Sequence, residues 1–207
     1  MAAPRYSFAS CVSSSTGLIY VAGGAGGYSN PLATAETYNV EEDKWEILTA
    51  MTQPRSLGCQ AVFIEGKFMV ISGNQLGRSA EVFDPTARTW RSCEDMWISF
   101  KGNPWGSWEV ATSSTDLYVF VQRDVMKYNA EKNVWTAVAT LPLDIHSGAR
   151  VAQWRDSVFV SGYNTIRHKR VNYLLNPSTG QLIEVNRDGG EDIVRSPAII
   201  SIEMVEI

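Results

Sequence analysis

Short apolar runs, each closed by small or turn-forming residues, recur along the chain and predict β-strands. Residues 68–71 are apolar throughout instead of alternating, as expected of a strand that neighbouring elements cover on both faces. Comparable runs lie at residues 18–22, 117–121 and 157–160. Glycine adopts positive φ readily and so permits a tight exit from such a strand. The glycines at these exits are Gly23, Gly24, Gly73 and Gly162.

A tryptophan and a second aromatic ring recur at a fixed step. Trp45, Trp90 and Trp135 follow one another at intervals of 45 residues. Seven residues before each tryptophan lies an aromatic ring, and one further step of 45 reaches a fourth; these rings are Tyr38, Phe83, Tyr128 and Tyr173. The fourth tryptophan position holds Gly180. Such a period, filled with short strands, is typical of a β-propeller in which each repeat forms one four-stranded blade.

Turn-forming residues separate each aromatic ring from its tryptophan. Asn39, Asp84 and Asn129 each follow the ring directly, and their side chains favour a turn before the next strand. The tryptophan is then expected on an outer strand, where its large flat side chain can fill the space between wedge-shaped blades.

The order of these features resembles the kelch repeat over residues 4–187. The first two repeats open with Pro-Arg, at Arg5 and Arg55, and continue through the apolar run to Glu-x-aromatic and tryptophan. The resemblance implies an all-β fold, a kelch-type β-propeller with about four blades present, as part of a larger propeller of about six. One domain, 1–207, is expected to hold repeats at 4–52, 53–98, 99–142 and 143–187 and a closing strand at 196–207.

Residues 79–97 and 116–142 are more specifically similar to plant F-box/kelch-repeat proteins. In that family an N-terminal F-box binds the ubiquitin-ligase scaffold through Skp1, and the propeller holds the protein to be ubiquitinated. The resemblance implies the substrate-recognition part of an SCF-type (Skp1-cullin-F-box) E3 ubiquitin ligase, which acts in protein ubiquitination and proteasomal degradation. The sequence shows no F-box and opens at a repeat boundary, so we expect a truncated form that meets Skp1 and cullin only if an upstream F-box exists.

The composition narrows the partners and the compartment. A net charge of −4, from 18 basic and 22 acidic residues, argues against nucleic-acid binding. No apolar stretch is long enough to cross a bilayer, and no signal peptide is recognisable, so we expect no membrane contact. The 3 scattered cysteines lack a C-x-x-C spacing and do not indicate a disulfide framework. We therefore expect a reducing compartment, the cytoplasm, the nucleus or both.

No catalytic or metal-binding constellation is recognisable in the sequence. Its two histidines, His146 and His168, belong to no Cys/His spacing that would suggest a metal centre. The glycine-rich residues 23–27 lack the lysine and the following helix of a phosphate-binding loop. We therefore expect a protein that is not an enzyme and holds no metal or cofactor. An enzyme built on a kelch propeller stays an alternative.

Propellers bind ligands with the loops at the mouth of the central channel, which the blades hold rigidly. In kelch proteins the residues just before each innermost strand commonly line this mouth. The candidate partner-binding residues at these positions are Arg5, Tyr6, Arg55, Ser56, Trp105, Trp108 and His146. Arginine, tyrosine and tryptophan are enriched at binding hot spots. Arg5 and Arg55 would suit an acidic segment of a partner protein, and residues 26–33 form a further candidate surface.

Alternatives stay open for these residues and for the function. Arg5 and Arg55 could cap carbonyl groups of a neighbouring blade instead of meeting a partner. Trp105 and Trp108 could pack between blades. The function could also be that of a free-standing kelch interaction or scaffold module without ligase activity.

Overall fold

The computed structural model describes residues 1–2, 4–71, 79–93, 108–143, 145 and 149–185. Within these residues the chain forms four antiparallel sheets of four strands each and one short 3-10 turn, Gly27–Ser29. No helix of the described part is long and apolar enough to span a membrane. The chain divides into two compact units, Met1–Phe100 and Lys101–Ile207.

The first unit contains two sheets, which we name the first and second blades. The strands of the first blade, in spatial order, are β1 (Ala9–Val12), β2 (Ile19–Ala22), β3 (Ala35–Asn39) and β4 (Lys44–Ile47). Those of the second blade are β5 (Gln60–Ile64), β6 (Lys67–Ile71), β7 (Ala80–Asp84) and β8 (Thr89–Ser92). The strands β1 and β5 lie beside each other, so each is the innermost strand of its blade.

The second unit contains the third and fourth blades. The third blade is built of β9 (Trp108–Thr112), β10 (Leu117–Val121), β11 (Asp124–Asn129) and β12 (Val134–Thr140). The fourth blade is built of β13 (Arg150–Trp154), β14 (Ser157–Asn164), β15 (Lys169–Leu175) and β16 (Leu182–Glu184). Here the innermost strands β9 and β13 lie beside each other.

These sheets confirm the predicted all-β fold with kelch-type blades, because strands that follow one another in sequence also pair in space throughout each sheet. The larger propeller of about six blades stays a prediction. The expected closing strand, residues 196–207, lies outside the described residues.

The repeated aromatic ring and its tryptophan are direct cross-strand partners. Tyr38 lies opposite Trp45, Phe83 opposite Trp90, and Tyr128 opposite Trp135. Their ring centroids are 4.9, 5.2 and 5.1 Å apart. A spacing of seven residues produces this pairing because a tight turn joins the third and fourth strands of each blade, and facing aromatic rings stabilise such a strand pair.

Asx turns join these outer strands, as the sequence predicts. The Asp84 carboxylate accepts hydrogen bonds from the backbone N–H groups of Thr86 at 2.9 Å and Ala87 at 3.1 Å. The Asn39 and Asn129 side chains accept corresponding bonds from Glu41 at 3.0 Å and Lys132 at 2.9 Å. Each of these turns therefore satisfies its own backbone donors.

The fourth blade departs from this pattern. Tyr173 lies opposite Glu184, and Gly180 belongs to the turn that precedes β16. Gly180 has φ +68°, and a Cβ atom there would lie 2.6 Å from the carbonyl oxygen of Val138 in the third blade. The missing tryptophan is thus replaced by a glycine whose backbone approaches the neighbouring blade closely.

Each unit has its own apolar core. In the first unit Tyr20 of the first blade packs on Phe63 and Phe68 of the second, with ring centroids 5.3 and 5.1 Å apart. In the second unit Tyr118, Phe120 and Val125 cluster with Val158, Val160 and Leu175. Facing sheets bury these side chains between neighbouring blades, which explains why β6 and β10 read as continuous apolar runs.

Candidate functional site

One end of the first unit is built from three segments that form bridges with one another. We name the end formed by residues 4–8, 23–34 and 48–59 the loop end. Tyr6 bridges to Ala25, Ala25 to Pro31, and Leu32 to Arg55. Backbone hydrogen bonds of 3.0 Å, from Tyr6 N–H to Ala25 C=O, and 2.9 Å, from Arg55 N–H to Leu32 C=O, fix this arrangement. The long connection of the first blade therefore lies between the entry segments of both blades.

Arg5 is bound inside the first blade. Its Nη2 donates to Glu36 Oε1 at 2.5 Å and to Thr34 Oγ1 at 3.1 Å. Its Nη1 donates to the carbonyl oxygens of Gly23 and Thr34, both at 2.9 Å. The second carboxylate oxygen of Glu36 accepts the Ala2 N–H at 2.7 Å. The side chains of Arg5 and Glu36 are 0% and 2% exposed, so this is a desolvated, charge-assisted pair.

Arg55 repeats this arrangement in the second blade. Its Nη2 and Nε donate to Glu81 Oε1 at 3.1 and 3.4 Å, and its Nη1 donates to the carbonyl and hydroxyl oxygens of Ser79. Glu81 also accepts the backbone N–H groups of Thr52 at 2.7 Å and Gln53 at 3.1 Å. Both charged side chains are buried, at 1% and 0% exposure. The entry segment of the blade is thus held to the third strand by a fully satisfied network.

The two ion pairs correct the expectation that Arg5 and Arg55 extend toward an acidic partner. Each guanidinium is buried, neutralised by a carboxylate and occupied by backbone carbonyl or hydroxyl acceptors of its own blade. The alternative, that they cap carbonyl groups of a neighbouring blade, is corrected as well, because each arginine binds acceptors of its own blade. The arginines therefore position the loop end and do not line its surface.

Sequence reasoning did not assign a role to Glu36 and Glu81. The signal was present, because both glutamates lie two residues before the repeated aromatic ring, in strands that are otherwise largely buried. A carboxylate at a buried strand position requires a partner. Arg5 and Arg55 are the cations that the sequence offers, because one Pro-Arg segment opens each of the two repeats that contain these glutamates.

Two glycines allow the segments of the loop end to approach one another. Gly23 and Gly24 have φ of +66° and +86°. A Cβ atom on Gly23 would lie 2.6 Å from the Arg55 carbonyl oxygen, and one on Gly24 would lie 2.7 Å from the Tyr6 carbonyl oxygen. The predicted role of this glycine pair as a tight strand exit is confirmed, whereas Gly73 lies outside the described residues.

Apolar side chains face the solvent at the loop end. Tyr6 is 48% exposed, Leu57 is 73% exposed and Tyr28 is fully exposed. Ser56 is half-buried and its carbonyl oxygen accepts the Cys59 N–H at 2.9 Å. Of the predicted residues, Tyr6 therefore lies at the surface, and so does Tyr28 of the candidate surface 26–33. Leu57 is a further exposed residue that the sequence did not single out.

The two ends of the first unit differ in charge. At the loop end the charged side chains are Arg5 and Arg55, both buried in ion pairs. The opposite end, which we name the turn end, comprises residues 13–18, 40–43, 65–66 and 85–88. It carries or adjoins Glu41, Glu42, Asp43, Lys44, Glu65, Lys67 and Arg88. Surface ion pairs there join Lys44 to Glu42, Lys67 to Asp84 and Arg88 to Glu46.

The fourth blade holds the segment before its first strand with apolar contacts instead of an ion pair. Ile145 is 2% exposed, and its Cγ2 lies 2.6 Å from where a Cβ atom on Gly162 would stand. Gly162 pairs with Val171 of β15. Val171 holds the register position that Glu36 and Glu81 hold in the first two blades. The missing side chain of Gly162 thus leaves room for Ile145. Its predicted role as a strand exit is wrong, because Gly162 lies inside β14 and does not have positive φ.

The remaining predicted site residues belong to the second unit. Trp108 is half-buried at the start of β9, opposite Val121 of β10. Trp105 and His146 lie outside the described residues. Arg167, His168, Lys169 and Arg170 are exposed at the connection between β14 and β15, where Arg167 pairs with Glu184 at 2.6 Å.

The described residues offer little for bond-making chemistry. They contain no group of three or more His, Cys, Asp or Glu side chains arranged to hold a metal ion. Burial raises the pKa of the Cys59 and Cys93 thiols above their ordinary value, which keeps both protonated and poorly nucleophilic at neutral pH. What the loop end offers is an uncharged surface with exposed aromatic and aliphatic side chains, the chemistry of a protein-binding site.

Comparisons with known proteins agree with this fold. The kelch motif model matches residues 4–52. The F-box/kelch-repeat protein At1g15670 of Arabidopsis thaliana is 34% identical over 155 residues, which cover 72% of this chain and 42% of that protein. The F-box/kelch-repeat protein At1g80440 of the same plant is 30% identical over 196 residues, which cover 90% of this chain and 54% of that protein.

A solved structure supports the fold alone. The structure of YjhT superposes with a TM-score of 0.62 over 93% of this chain and 68% of YjhT, at 14% sequence identity. The chain spans about half the length of the curated relatives it matches. Over the sequence that it shares with them, the chain is similar to plant F-box/kelch-repeat proteins.

Proposed function

We propose that the chain is the substrate-recognition part of an SCF-type E3 ubiquitin ligase and binds its protein target with the loop end of the first unit. The kelch repeat and the F-box/kelch-repeat relatives support a protein-binding propeller. Ligase recruitment rests on the F-box named in those relatives, which would supply the contact with Skp1 and cullin. The propeller itself catalyses no reaction in this proposal and acts where its target is available, in the cytoplasm or the nucleus.

The observation that carries the proposal is the contrast between what the loop end buries and what it exposes. Buried Arg–Glu pairs and backbone bridges hold three connections in fixed positions. Tyr6, Tyr28 and Leu57 then extend from this fixed base into solvent. Rigid loops that present aromatic and aliphatic side chains lose little conformational entropy on binding, which favours recognition of a protein surface.

The test compares proteins recovered from plant cells with three forms of the full-length product that contains this chain. The forms are the wild type, the loop-end variant Tyr28→Asn with Leu57→Ser, and a control, Val40→Ser, at the turn end. Val40 is 59% exposed, so its substitution removes a similar apolar group elsewhere. Cells are treated with a proteasome inhibitor so that ubiquitinated targets accumulate.

We expect Skp1 and cullin with all three forms, and target proteins with the wild type and the control alone. Targets without Skp1 or cullin would favour the free-standing interaction module, the second candidate function. Equal recovery of targets by the loop-end variant would contradict the proposed binding surface.

A further inference from the structure

We infer that the partner segment that docks on the loop end is uncharged and apolar, and that it receives Tyr28 as its principal anchor. This inference rests on the proposed function and specifies the chemistry of the partner. It replaces the acidic segment that two arginines in the entry segments of the repeats would suggest.

The first step concerns the charge that the loop end can offer. The guanidinium groups of Arg5 and Arg55 are 0% and 1% exposed and each contacts a carboxylate. An acidic partner could reach neither group without displacing Glu36 or Glu81 from a buried network. Such a displacement would leave a desolvated carboxylate without its cation, which is strongly unfavourable.

The second step concerns the surface that remains. Besides those two arginines, the described residues 4–8, 23–34 and 48–59 contain no ionisable Asp, Glu, Lys or Arg. Docking against this surface would remove water from any charged group of the partner without providing a counter-charge. Uncharged partner segments avoid this cost, so the loop end selects them over acidic or basic ones.

The third step concerns how Tyr28 is presented. The loop that carries it is closed by the Ala25–Pro31 bridge and by a 3.0 Å hydrogen bond from Gly26 N–H to Asn30 C=O. Tyr28 stands at the tip with φ +58° and ψ 26°, a left-handed conformation that aromatic residues adopt rarely. Because the ring is fully exposed, no packing within the chain offsets the strain of this conformation. Insertion into an apolar pocket of a partner would bury the ring and let the phenol hydroxyl bond an acceptor there.

Tyr6 and Leu57 extend this anchor into a surface. Tyr6 bridges to Ala25 at the base of the same loop. Leu57 lies two residues after Arg55, and Arg55 bridges to Leu32 on the other side of that loop. The expected partner segment therefore carries aliphatic or proline side chains around a pocket for Tyr28, together with a carbonyl or hydroxyl acceptor.

The experiment selects binders from a displayed library of random peptides on the purified chain. Enriched sequences are expected to be apolar and to have no net charge. Their affinities are expected to change less than about twofold when ionic strength rises from about 0.1 M to about 1 M, although the Debye length falls from about 10 Å to about 3 Å.

Two variants assign the selected peptides to the surface. Tyr28→Asn removes the ring and keeps a residue that tolerates the left-handed conformation, and it is expected to weaken binding at least about tenfold, as loss of a hot-spot side chain does. Val40→Ser at the turn end is the matched control and should leave affinity unchanged. Circular dichroism and thermal melting confirm that both variants remain folded.

The outcomes separate this inference from the function on which it rests. Acidic peptides that lose affinity steeply with salt, yet depend on Tyr28, would overturn the inference and leave the loop end as a binding surface. Peptides whose affinity is the same for wild type and Tyr28→Asn would overturn both. Neutral peptides that depend on Tyr28 and resist salt would support the inference.

Discussion

The first two blades and the fourth blade fill the same structural position with opposite chemistry. In the first unit, arginine and glutamate meet inside each blade, and the loop-end surface outside is uncharged. In the fourth blade, Ile145 and Val171 occupy the interior, while Arg167, Lys169 and Arg170 lie outside in solvent. A Pro-Arg signature in the sequence therefore indicates a buried tether in this protein, and the charge that a partner meets must be read from other residues.

This difference teaches that the ion pair is one solution among several for holding the entry segment to its blade. A buried ion pair gives a defined geometry through many directed hydrogen bonds, but its desolvation cost offsets much of its attraction. An apolar pair needs no partner groups and relies on close packing, as the approach of Ile145 to Gly162 shows. The first unit thus depends on each member of its pairs more strongly than the fourth blade depends on any single contact.

The largest expected effect is the loss of one member of a buried pair. Arg55→Ala should reduce the free energy of unfolding by about 3–5 kcal/mol, because it leaves the buried Glu81 carboxylate without its cation. Urea denaturation followed by tryptophan fluorescence measures the change. A loss below about 1 kcal/mol, typical of an exposed pair, would contradict the buried arrangement.

A matching prediction exchanges the residues of the ion pair and of the apolar pair between the second and fourth blades. Arg55→Ile with Glu81→Val imitates the fourth blade and should be less destabilising than Arg55→Ala, since no charge is left unpaired. In the opposite direction, Ile145→Arg should destabilise the fourth blade strongly, and the addition of Val171→Glu should recover part of the loss. Absence of any recovery would show that the two positions are not equivalent.

A second comparison lies within the first unit, between Trp45 and Trp90. Trp90 packs on Phe68 and Phe83 and donates its indole N–H to the carbonyl oxygen of Thr49 in the first blade at 2.7 Å. Trp45 is 37% exposed and stacks on Tyr38. Trp90→Ala should cost about 3 kcal/mol, the lower part of the range for buried aromatic side chains. Trp45→Ala should cost about 1 kcal/mol, because burial and a ring contact are smaller there.

Thermal or urea denaturation of the two variants gives the ratio directly. Trp90→Phe serves as the control, because it retains a ring and removes only the indole donor. Equal losses for Trp90→Ala and Trp45→Ala would show that the contact of Trp90 with the first blade contributes nothing beyond its pairing with Phe83.

Much of the fold follows from the sequence, because its causes are local and periodic. The 45-residue step, the apolar runs and the Asx turns at Asn39, Asp84 and Asn129 are each set by neighbouring residues, and the structure confirms them. The exposure of Arg5 and Arg55 could not be read in this way. Whether an arginine faces a partner or a strand depends on residues about 30 positions distant, here Glu36 and Glu81. The presentation of Tyr28 likewise depends on bridges that no local pattern specifies.

The smallest expected effect concerns the turn end, where one blade uses aspartate and the others use asparagine. Hydrogen bonds from the Ala87 and Thr86 backbone N–H groups and the nearby Lys67 hold the pKa of Asp84 below its ordinary value. Since the folded pKa is the lower one, the contribution of the carboxylate is present above the unfolded pKa and is lost as pH falls through the folded value. Asp84→Asn keeps the oxygen acceptor that Asn39 supplies in the first blade and removes only the charge. The wild type should therefore be slightly more stable than Asp84→Asn at about pH 7, and their urea midpoints should converge as pH falls below the unfolded pKa and through the lower folded pKa of Asp84. A difference between the two proteins that stays constant with pH would show that the charge contributes nothing and that the turn depends on the acceptor oxygen alone.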